Sequence, residues 1–203
     1  MLNQRLTWKA ASAVLAAWWL WFPSAPVEAG DTLTRIMARK TLNCGVSDGV
    51  PGFSMQDAEG RWSGMDVDFC RALAAAVLSD AEKVKYVPLA TAARFQSLKG
   101  GEVDVLSRNT TWTLQREAVL GVLFAGALYY GAQQFLVPES SGVKELSQLN
   151  GAPICVVKGT THEEYLATFF RERNWKYVPV VAESQTKAAE ALFAGNCKAF
   201  TSE

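Results

Sequence analysis

Apolar residues recur at helical spacing along residues 60–78, GRWSGMDVDFCRALAAAVL. The apolar stripe consists of Val67, Cys70, Ala74 and Val77. Because Gly64 precedes this stripe, the pattern predicts an amphipathic helix that serves as scaffold. Asp66 and Asp68 fall in its first turn, where we interpret them as surface acids that offset the helix dipole.

The word KYVP occurs at residues 85–88 and again at residues 176–179. In both copies a helical pattern follows, then a glycine, Gly101 or Gly195, and then a second strand pattern. Strands that alternate with helical patterns predict βαβ units and a parallel sheet. We therefore expect an α/β fold of two similar lobes. The alternative is a set of βαβ units that look alike without a two-lobed arrangement.

Residues 1–29 have the features of a secretory signal peptide. Arg5 and Lys9 form a basic start, residues 10–22 are uncharged and apolar, and Ala29 offers a cleavage site. The alternative is a retained interfacial anchor, because three tryptophans lie in the apolar run. In either case we expect the remainder of the chain to lie outside the cytoplasm.

The chain of 203 residues carries 20 basic and 20 acidic side chains and has no basic cluster. This balance argues against nucleic acid as a partner. No nucleophile stands beside a positioned base, and there is no phosphate-binding glycine fingerprint and no CxxC pair. The sole histidine, His162, is expected on a helix surface. We therefore expect no cofactor and no metal site.

Four cysteines lie in the part expected to be exported: Cys44, Cys70, Cys155 and Cys197. An even number of cysteines in an oxidising compartment indicates disulfides, and four cysteines allow three pairings. Cys44 and Cys155 begin equivalent strands of the two repeats, which favours pairing within each lobe, Cys44 with Cys70 and Cys155 with Cys197. The alternative is four buried thiols.

A polar loop, residues 108–113, follows the strand that ends near Ser107, and Arg116 stands in the helical turn after it. Ligands bind at the carboxyl ends of the strands in open α/β sheets. Arg116 can hold a carboxylate through two parallel N–H bonds, and Thr111 can add a hydroxyl. The alternative is that Arg116 pairs with Glu117 and that the loop only caps a helix.

The second repeat has a counterpart in KGTTHEEY, residues 158–165, where Thr160 and Thr161 separate a strand from a helix with acids in its first turn. Backbone N–H groups and hydroxyls at such a helix start can hold an anion. The alternative is an ordinary threonine N-cap. In the first repeat, Phe53 follows the first strand and is expected either to line an apolar pocket wall or to belong to the core.

These segments resemble the periplasmic solute-binding proteins of polar amino-acid ABC importers, solute-binding protein family 3, and most closely their general L-amino-acid branch. The motifs are CGVSDGVPGFS, GMDVDFCRALAAAV, SLKGGEVDVLSRNTTWTLQRE, GAQQFLV and VVKGTTHEEYLATFF, which cover nearly all of residues 41–203. The resemblance implies a two-lobed periplasmic clamp that binds one free L-amino acid and delivers it to a membrane permease. It implies binding rather than an enzymatic reaction, and we expect a monomer.

The resemblance also assigns roles to individual residues. Arg116 matches the arginine that holds the ligand α-carboxylate, and Thr111 matches the hydroxyl beside it. Asn109 matches the position that meets the α-ammonium group. Thr160 and Thr161 match the carboxylate donors of the second lobe.

Two features depart from the family pattern. Glu203 stands where family members usually place Asp, and its longer side chain is expected to displace the ligand or to lower affinity. Family members also continue beyond this position, so we expect a truncated member with an incomplete second lobe. The expected organisation is a signal peptide at 1–29, the N-terminal part of lobe I at 30–132, a hinge strand at 133–138 and a partial lobe II at 139–203.

Two other classes of function stay open at this stage. One is an exported enzyme on the same fold, of the dehydratase or lytic transglycosylase class, with Glu203 as the acid in the cleft. The other is a sensory ligand-binding domain. The sequence does not identify the amino acid that would be bound.

Overall fold

Helices and strands alternate along the part of the chain that the computed structural model describes, residues 30–203. The α-helices there are α1 Asp31–Arg39, α2 Met65–Leu78, α3 Arg94–Lys99, α4 Leu114–Leu120, α5 Thr161–Glu172 and α6 Gln185–Phe193. The strands are β1 Leu42–Val46, β2 Met55–Gln56, β3 Trp62–Ser63, β4 Val84–Pro88, β5 Val105–Leu106, β6 Gln134–Leu136, β7 Pro153–Val157, β8 Val178–Ala182 and β9 Ala199–Ser202. Short 3-10 turns occupy Glu139–Ser141 and Leu146–Leu149. Residues 35–203 form one compact unit.

The larger two sheets share one strand order. The first sheet has the order β4, β1, β5 and is parallel throughout. The second sheet has the order β8, β7, β9, also parallel, and β6 adds to it antiparallel to β9. Strands β2 and β3 form a small antiparallel hairpin. The predicted α/β fold with parallel strands is therefore confirmed.

The two copies of KYVP lie in equivalent strands but at different points along them. Residues 85–88 lie within β4, whereas the second copy enters β8 only at Val178. Lys176 lies ahead of the strand because its carbonyl accepts from Gly151 N at 2.7 Å and its N–H donates to Asn150 Oδ1 at 2.9 Å. The loop before β7 therefore holds this segment before the strand pairing begins.

Apolar side chains cover both sheets. In the first sheet the buried groups are Ile36, Leu42 and Ala74, and next to them Cys44, Val46 and Cys70. In the second sheet one buried group is Leu149, Ile154, Val156, Leu166, Phe170 and Ala199, and another is Cys155, Val157, Ala188, Leu192, Cys197 and Phe200. Helix α2 thus packs on the first sheet, and helices α5 and α6 pack on the second.

The start of α2 is packed against the turn that carries Phe53. Gly64 precedes the helix with φ 117°, and a Cβ atom there would lie 2.4 Å from Phe53 O, so only glycine fits. Asp66 N donates to Phe53 O at 2.9 Å, and Asp66 is only 2% exposed. The interpretation of Asp66 as a surface acid is wrong, because this turn covers the helix start, whereas Asp68 is exposed.

Two disulfide bonds start from the equivalent strands β1 and β7, and their pairing is the one that the repeat favours. Cys44 and Cys70 join β1 to α2 across 26 residues. Cys155 and Cys197 join β7 to the segment before β9 across 42 residues. The alternative of four free thiols is wrong for this structure.

The predicted division of the chain comprises a hinge, lobe boundaries and a signal peptide. The segment predicted as a hinge, 133–138, contains β6, which pairs with β9. The lobe boundaries stay a prediction, and the predicted signal peptide, 1–29, lies outside the described residues. Among helices of residues 30–203, none combines the length and the apolar character that crossing a membrane requires.

Candidate ligand-binding site

Three polar side chains meet where the loops after β5 and β7 approach the end of β9. Thr111 Oγ1 lies 3.1 Å from Thr161 Oγ1 and 3.5 Å from Glu203 Oε1. All three follow the carboxyl ends of parallel strands, the edge at which α/β sheets bind ligands. Three residues proposed for the ligand from sequence are thereby brought together, although they are up to 92 positions apart in the chain.

Threonine N-caps fix the two loops that carry these hydroxyls. Thr113 Oγ1 accepts from Arg116 N at 3.2 Å and begins α4. Thr160 Oγ1 accepts from Glu163 N at 3.4 Å, donates to Val157 O at 2.7 Å and begins α5. The Thr160 hydroxyl thus forms the ordinary cap considered as the alternative, while the next hydroxyl, that of Thr161, faces the first sheet's loop.

Arg116 is buried beside this junction. Its side chain is mostly shielded, Nη1 donates to Thr111 O at 2.5 Å, and its Cζ atom lies 5.4 Å from the Phe95 ring centroid. Burial lowers the pKa of Arg116, and the negative charges of nearby glutamates oppose that shift. Within residues 30–203 Arg116 has no salt bridge, and Glu117 instead accepts from Phe124 N at 3.3 Å. The alternative of an Arg116–Glu117 pair is therefore wrong.

Arg94, which sequence reasoning missed, contacts the same ring. It begins α3, is 1% exposed, and its Cζ atom lies 4.9 Å from the Phe95 centroid. Its Nη2 donates to Gly159 O at 3.3 Å, which joins the loop after β4 to the loop after β7. Burial, together with the charges of Arg108 and Arg116, lowers the pKa of Arg94 to about 9. The available signal was its position after a parallel strand, the same signal that pointed to Arg116.

His162 and Glu203 form the other side of the site. His162 Nε2 lies 3.5 Å from Glu203 Oε1, and burial lowers the pKa of His162 while Glu203 opposes that shift. The expectation of a surface histidine is wrong, because His162 is 8% exposed. Gln133 covers the helix start there, since its Nε2 donates to His162 O at 3.2 Å and to Thr201 Oγ1 at 2.9 Å.

Asn109 and Phe53 make contacts at the margins of this group. Asn109 Oδ1 accepts from Arg108 Nη2 at 3.4 Å. Phe53 is half-buried and packs edge-on against Tyr129, with ring centroids 5.3 Å apart. Tyr129 approaches Gly131, and a Cβ atom there would lie 3.6 Å from Glu203 Cβ. An aromatic pair therefore stands on the side of the site where Glu203 lies.

The arrangement gathers charges of both signs near a pair of hydroxyls. The guanidinium group of Arg116 donates to Thr111 O, and the carboxylate of Glu203 lies 3.5 Å from Thr111 Oγ1. A buried cation without an ion pair is costly, and an anionic ligand group relieves that cost. Among residues 30–203 there is no group of three histidine, cysteine, aspartate or glutamate residues that could hold a metal ion.

Comparison with known proteins decides the family. The family model described as "Bacterial extracellular solute-binding proteins, family 3" matches residues 42–195, most of the chain. The chain belongs to this family. The expected resemblance is therefore confirmed.

Relatives of this solute-binding protein carry names from amino-acid transport. It is 44% identical over 197 residues to the "Putative amino-acid ABC transporter-binding protein YhdW" of Escherichia coli (strain K12), covering 97% of this chain and 56% of that protein. It is 43% identical over 203 residues to the "General L-amino acid-binding periplasmic protein AapJ" of Rhizobium johnstonii, covering 100% of this chain and 58% of that protein. The solute-binding protein thus spans somewhat more than half the length of the curated relatives it matches.

A solved structure supports the fold of this solute-binding protein. The "ABC transporter / periplasmic binding protein from Brucella ovis with glutathione bound" is similar with a TM-score of 0.81 and 45% sequence identity, covering 86% of this chain and 55% of that one. The prediction of an α/β fold like that of periplasmic binding proteins is confirmed. The names of these relatives are those of binding proteins rather than enzymes.

Proposed function

We propose that the chain binds a free L-amino acid at the junction of Thr111, Thr161, Arg116 and Glu203. The observation that carries this proposal is the 3.1 Å approach of the Thr111 and Thr161 hydroxyls beside a buried arginine that has no salt bridge among residues 30–203. A free amino acid is a zwitterion, and the site offers groups of both signs. Arg116 takes the α-carboxylate, the two hydroxyls donate to it, and Glu203 faces the α-ammonium group.

The buried arginines favour an anionic ligand group on energetic grounds. The Cζ atoms of Arg94 and Arg116 lie 4.9 Å and 5.4 Å from the Phe95 ring centroid, and burial lowers the pKa of each arginine. A carboxylate that contacts these guanidinium groups restores interactions that they lose with water, and bonds between two ions are stronger than neutral hydrogen bonds. This supports a carboxylate as the recognised feature, whichever side chain the amino acid bears.

The biological setting belongs to the same proposal. The bound amino acid is delivered to the permease of an ABC importer, in the periplasm, after the leader at 1–29 has directed export. Names of relatives that concern amino-acid transport support this setting. Closure of the clamp around the ligand is the step that a permease would recognise.

Titration calorimetry with a panel of L-amino acids tests the proposal on the purified chain and on Arg116→Gln. We expect at least one amino acid to bind, and the variant to bind it about 100-fold more weakly, since truncating one partner of a buried charge pair typically costs several kcal/mol. Arg71→Gln is the matched control, because Arg71 is half-exposed and pairs with Glu82 on the surface. Equal affinity of Arg116→Gln and the unchanged chain would contradict the assignment.

A further inference from the structure

The planar guanidinium group of Arg108, which follows β5, donates hydrogen bonds to three acceptors. Its Nη1 donates to Leu89 O at 2.5 Å. Its Nη2 donates to Thr91 Oγ1 at 3.2 Å and to Asn109 Oδ1 at 3.4 Å. Arg108 is 8% exposed, so these contacts form away from solvent.

The acceptors of Arg108 belong to two loops that enter the proposed site. Leu89 and Thr91 lie in the connection from β4 to α3, whose first residue is the buried Arg94. Asn109 lies in the connection from β5 to α4, which presents Thr111. A single guanidinium therefore sets the spacing between the loop of Arg94 and the loop of Thr111.

The three buried arginines, Arg94, Arg108 and Arg116, differ in how many hydrogen bonds their side chains make. Arg108 makes three bonds within the protein, whereas Arg94 and Arg116 each make one side-chain hydrogen bond among residues 30–203. Most N–H groups of Arg94 and Arg116 thus have no acceptor among residues 30–203, while Nη1 and Nη2 of Arg108 are already engaged.

The electrostatic interactions of the Arg108 charge act in both directions. Burial lowers its pKa, and the carboxylates of Asp48 and Asp66 oppose that shift. Its charge also lowers the pKa of Arg94, so each guanidinium makes the other less favourable. What Arg108 supplies to the loops is the fixed fork of its donors, which a lysine ammonium does not reproduce.

We propose that Arg108 is a positioning residue for the amino-acid site. It holds the 89–93 and 109–113 loops at the separation at which Arg94 and Thr111 face one ligand. This inference rests on the proposed function. It predicts that affinity depends on the geometry of Arg108 and not only on its charge.

Arg108→Lys and Thr91→Val test the inference from both ends of one hydrogen bond. Calorimetry with L-glutamate, L-glutamine and L-alanine measures affinity well below each variant's melting temperature. We expect Arg108→Lys to bind about tenfold more weakly although it keeps the charge, the loss that one hydrogen bond to a charged group corresponds to. Thr91→Val is expected to weaken binding too, Thr91→Ser to restore it, and the double variant to be no weaker than the weaker single variant.

The control is Arg71→Lys, which makes the same exchange at the surface pair with Glu82. Affinity of Arg108→Lys equal to that of the unchanged chain would overturn the inference, because charge alone would then suffice. Fully additive losses for Thr91→Val and Arg108→Lys would overturn it as well. If Arg108→Lys does not fold, the affinities of Thr91→Val and Thr91→Ser decide whether Arg108 positions the loops. Equal affinities of these two variants would then overturn the inference.

Amide hydrogen exchange without ligand separates this inference from the proposed function. Ala93 N donates to Ala90 O at 3.1 Å and Thr110 N donates to Arg108 O at 2.7 Å, so these two amides report on the two loops. We expect both to exchange faster in Arg108→Lys, while Val178 N, bonded to Ala152 O in the second sheet, stays unchanged. If the unchanged chain binds no amino acid, the proposed function fails, and unchanged exchange of both loop amides overturns the positioning role independently.

Discussion

The carboxylate of Asp66 is buried at the start of α2, and its Oδ2 atom has no hydrogen-bond partner among the described residues. Burial raises the pKa of Asp66 to about 6, and the charge of Arg108 opposes that shift. In the unfolded chain the same group titrates near 3.8. Protonation of Asp66 therefore favours the folded state between these two values.

The raised pKa of Asp66 in the folded state determines how its contribution to the free energy of unfolding changes with pH. As pH rises from 4 to 7, Asp66 ionises in the unfolded chain before it ionises in the folded one, so its contribution to stability falls. Relative to Asp66→Asn, the chain is expected to lose on the order of 2 kcal/mol of unfolding free energy over this interval. Urea titrations of the unchanged chain and of Asp66→Asn at pH 4 and pH 7 measure this difference. The contributions of all other titratable groups are common to both proteins and cancel in the comparison. A difference that does not change with pH contradicts the raised pKa.

Individual residues also show what local sequence leaves out. The threonine loops and Arg116 were visible because hydroxyls and a guanidinium cluster directly after predicted strands. Arg94 and His162 were not singled out, although Arg94 follows a predicted strand, because the burial of each helix start depends on a distant segment. Gly159 O contacts Arg94 from 65 positions away, and Gln133 covers His162 from 29 positions away. Such contacts are set by tertiary structure and leave no periodic pattern.

At the scale of elements, β1 and β7 are equivalent central strands, each tied by one disulfide to the covering structure. The repeat predicted this pairing, since equivalent strands place equivalent cysteines in separate sheets. The sequence predicted β6 as a hinge strand at 133–138 but not its antiparallel pairing with β9, because a three-residue strand carries no pattern that specifies its partner. The repeat also did not predict the register of the second KYVP segment, because the hydrogen bond from Lys176 N to Asn150 Oδ1 fixes that register.

Removal of either disulfide is expected to destabilise the chain through the unfolded state. On loop-closure grounds, Cys155→Ala with Cys197→Ala lowers the free energy of unfolding by about 4 kcal/mol. Cys44→Ala with Cys70→Ala lowers it by about 3.5 kcal/mol, because the loop closed by Cys44 and Cys70 is the shorter one. Urea unfolding under oxidising conditions measures both losses. Addition of a reductant to the unchanged chain serves as the control and should lower its stability further than either double variant. Losses below about 1 kcal/mol would show that these bonds do not constrain the unfolded chain.

At the scale of the whole molecule, two sheets of one strand order place the loops at the carboxyl ends of their strands against each other. The loops after β4 and β5 from the first sheet meet the loop after β7 and the end of β9 from the second. The chain spans somewhat more than half the length of the curated relatives it matches. The residues proposed to hold the α-carboxylate and the α-ammonium group lie on these loops, and their affinity for an amino acid is the property that an experiment on this chain measures.

A thermal melt of the purified chain with L-amino acids and their decarboxylated amines tests the central claim most directly. A ligand that binds only the folded state raises the melting temperature. Because Arg116 and the two hydroxyls are proposed to hold the α-carboxylate, we expect at least one L-amino acid to raise the temperature of a cooperative melt, and the matching amines to leave it unchanged. A cooperative melt that no amino acid shifts, or that the amines shift equally, would contradict carboxylate recognition at this site.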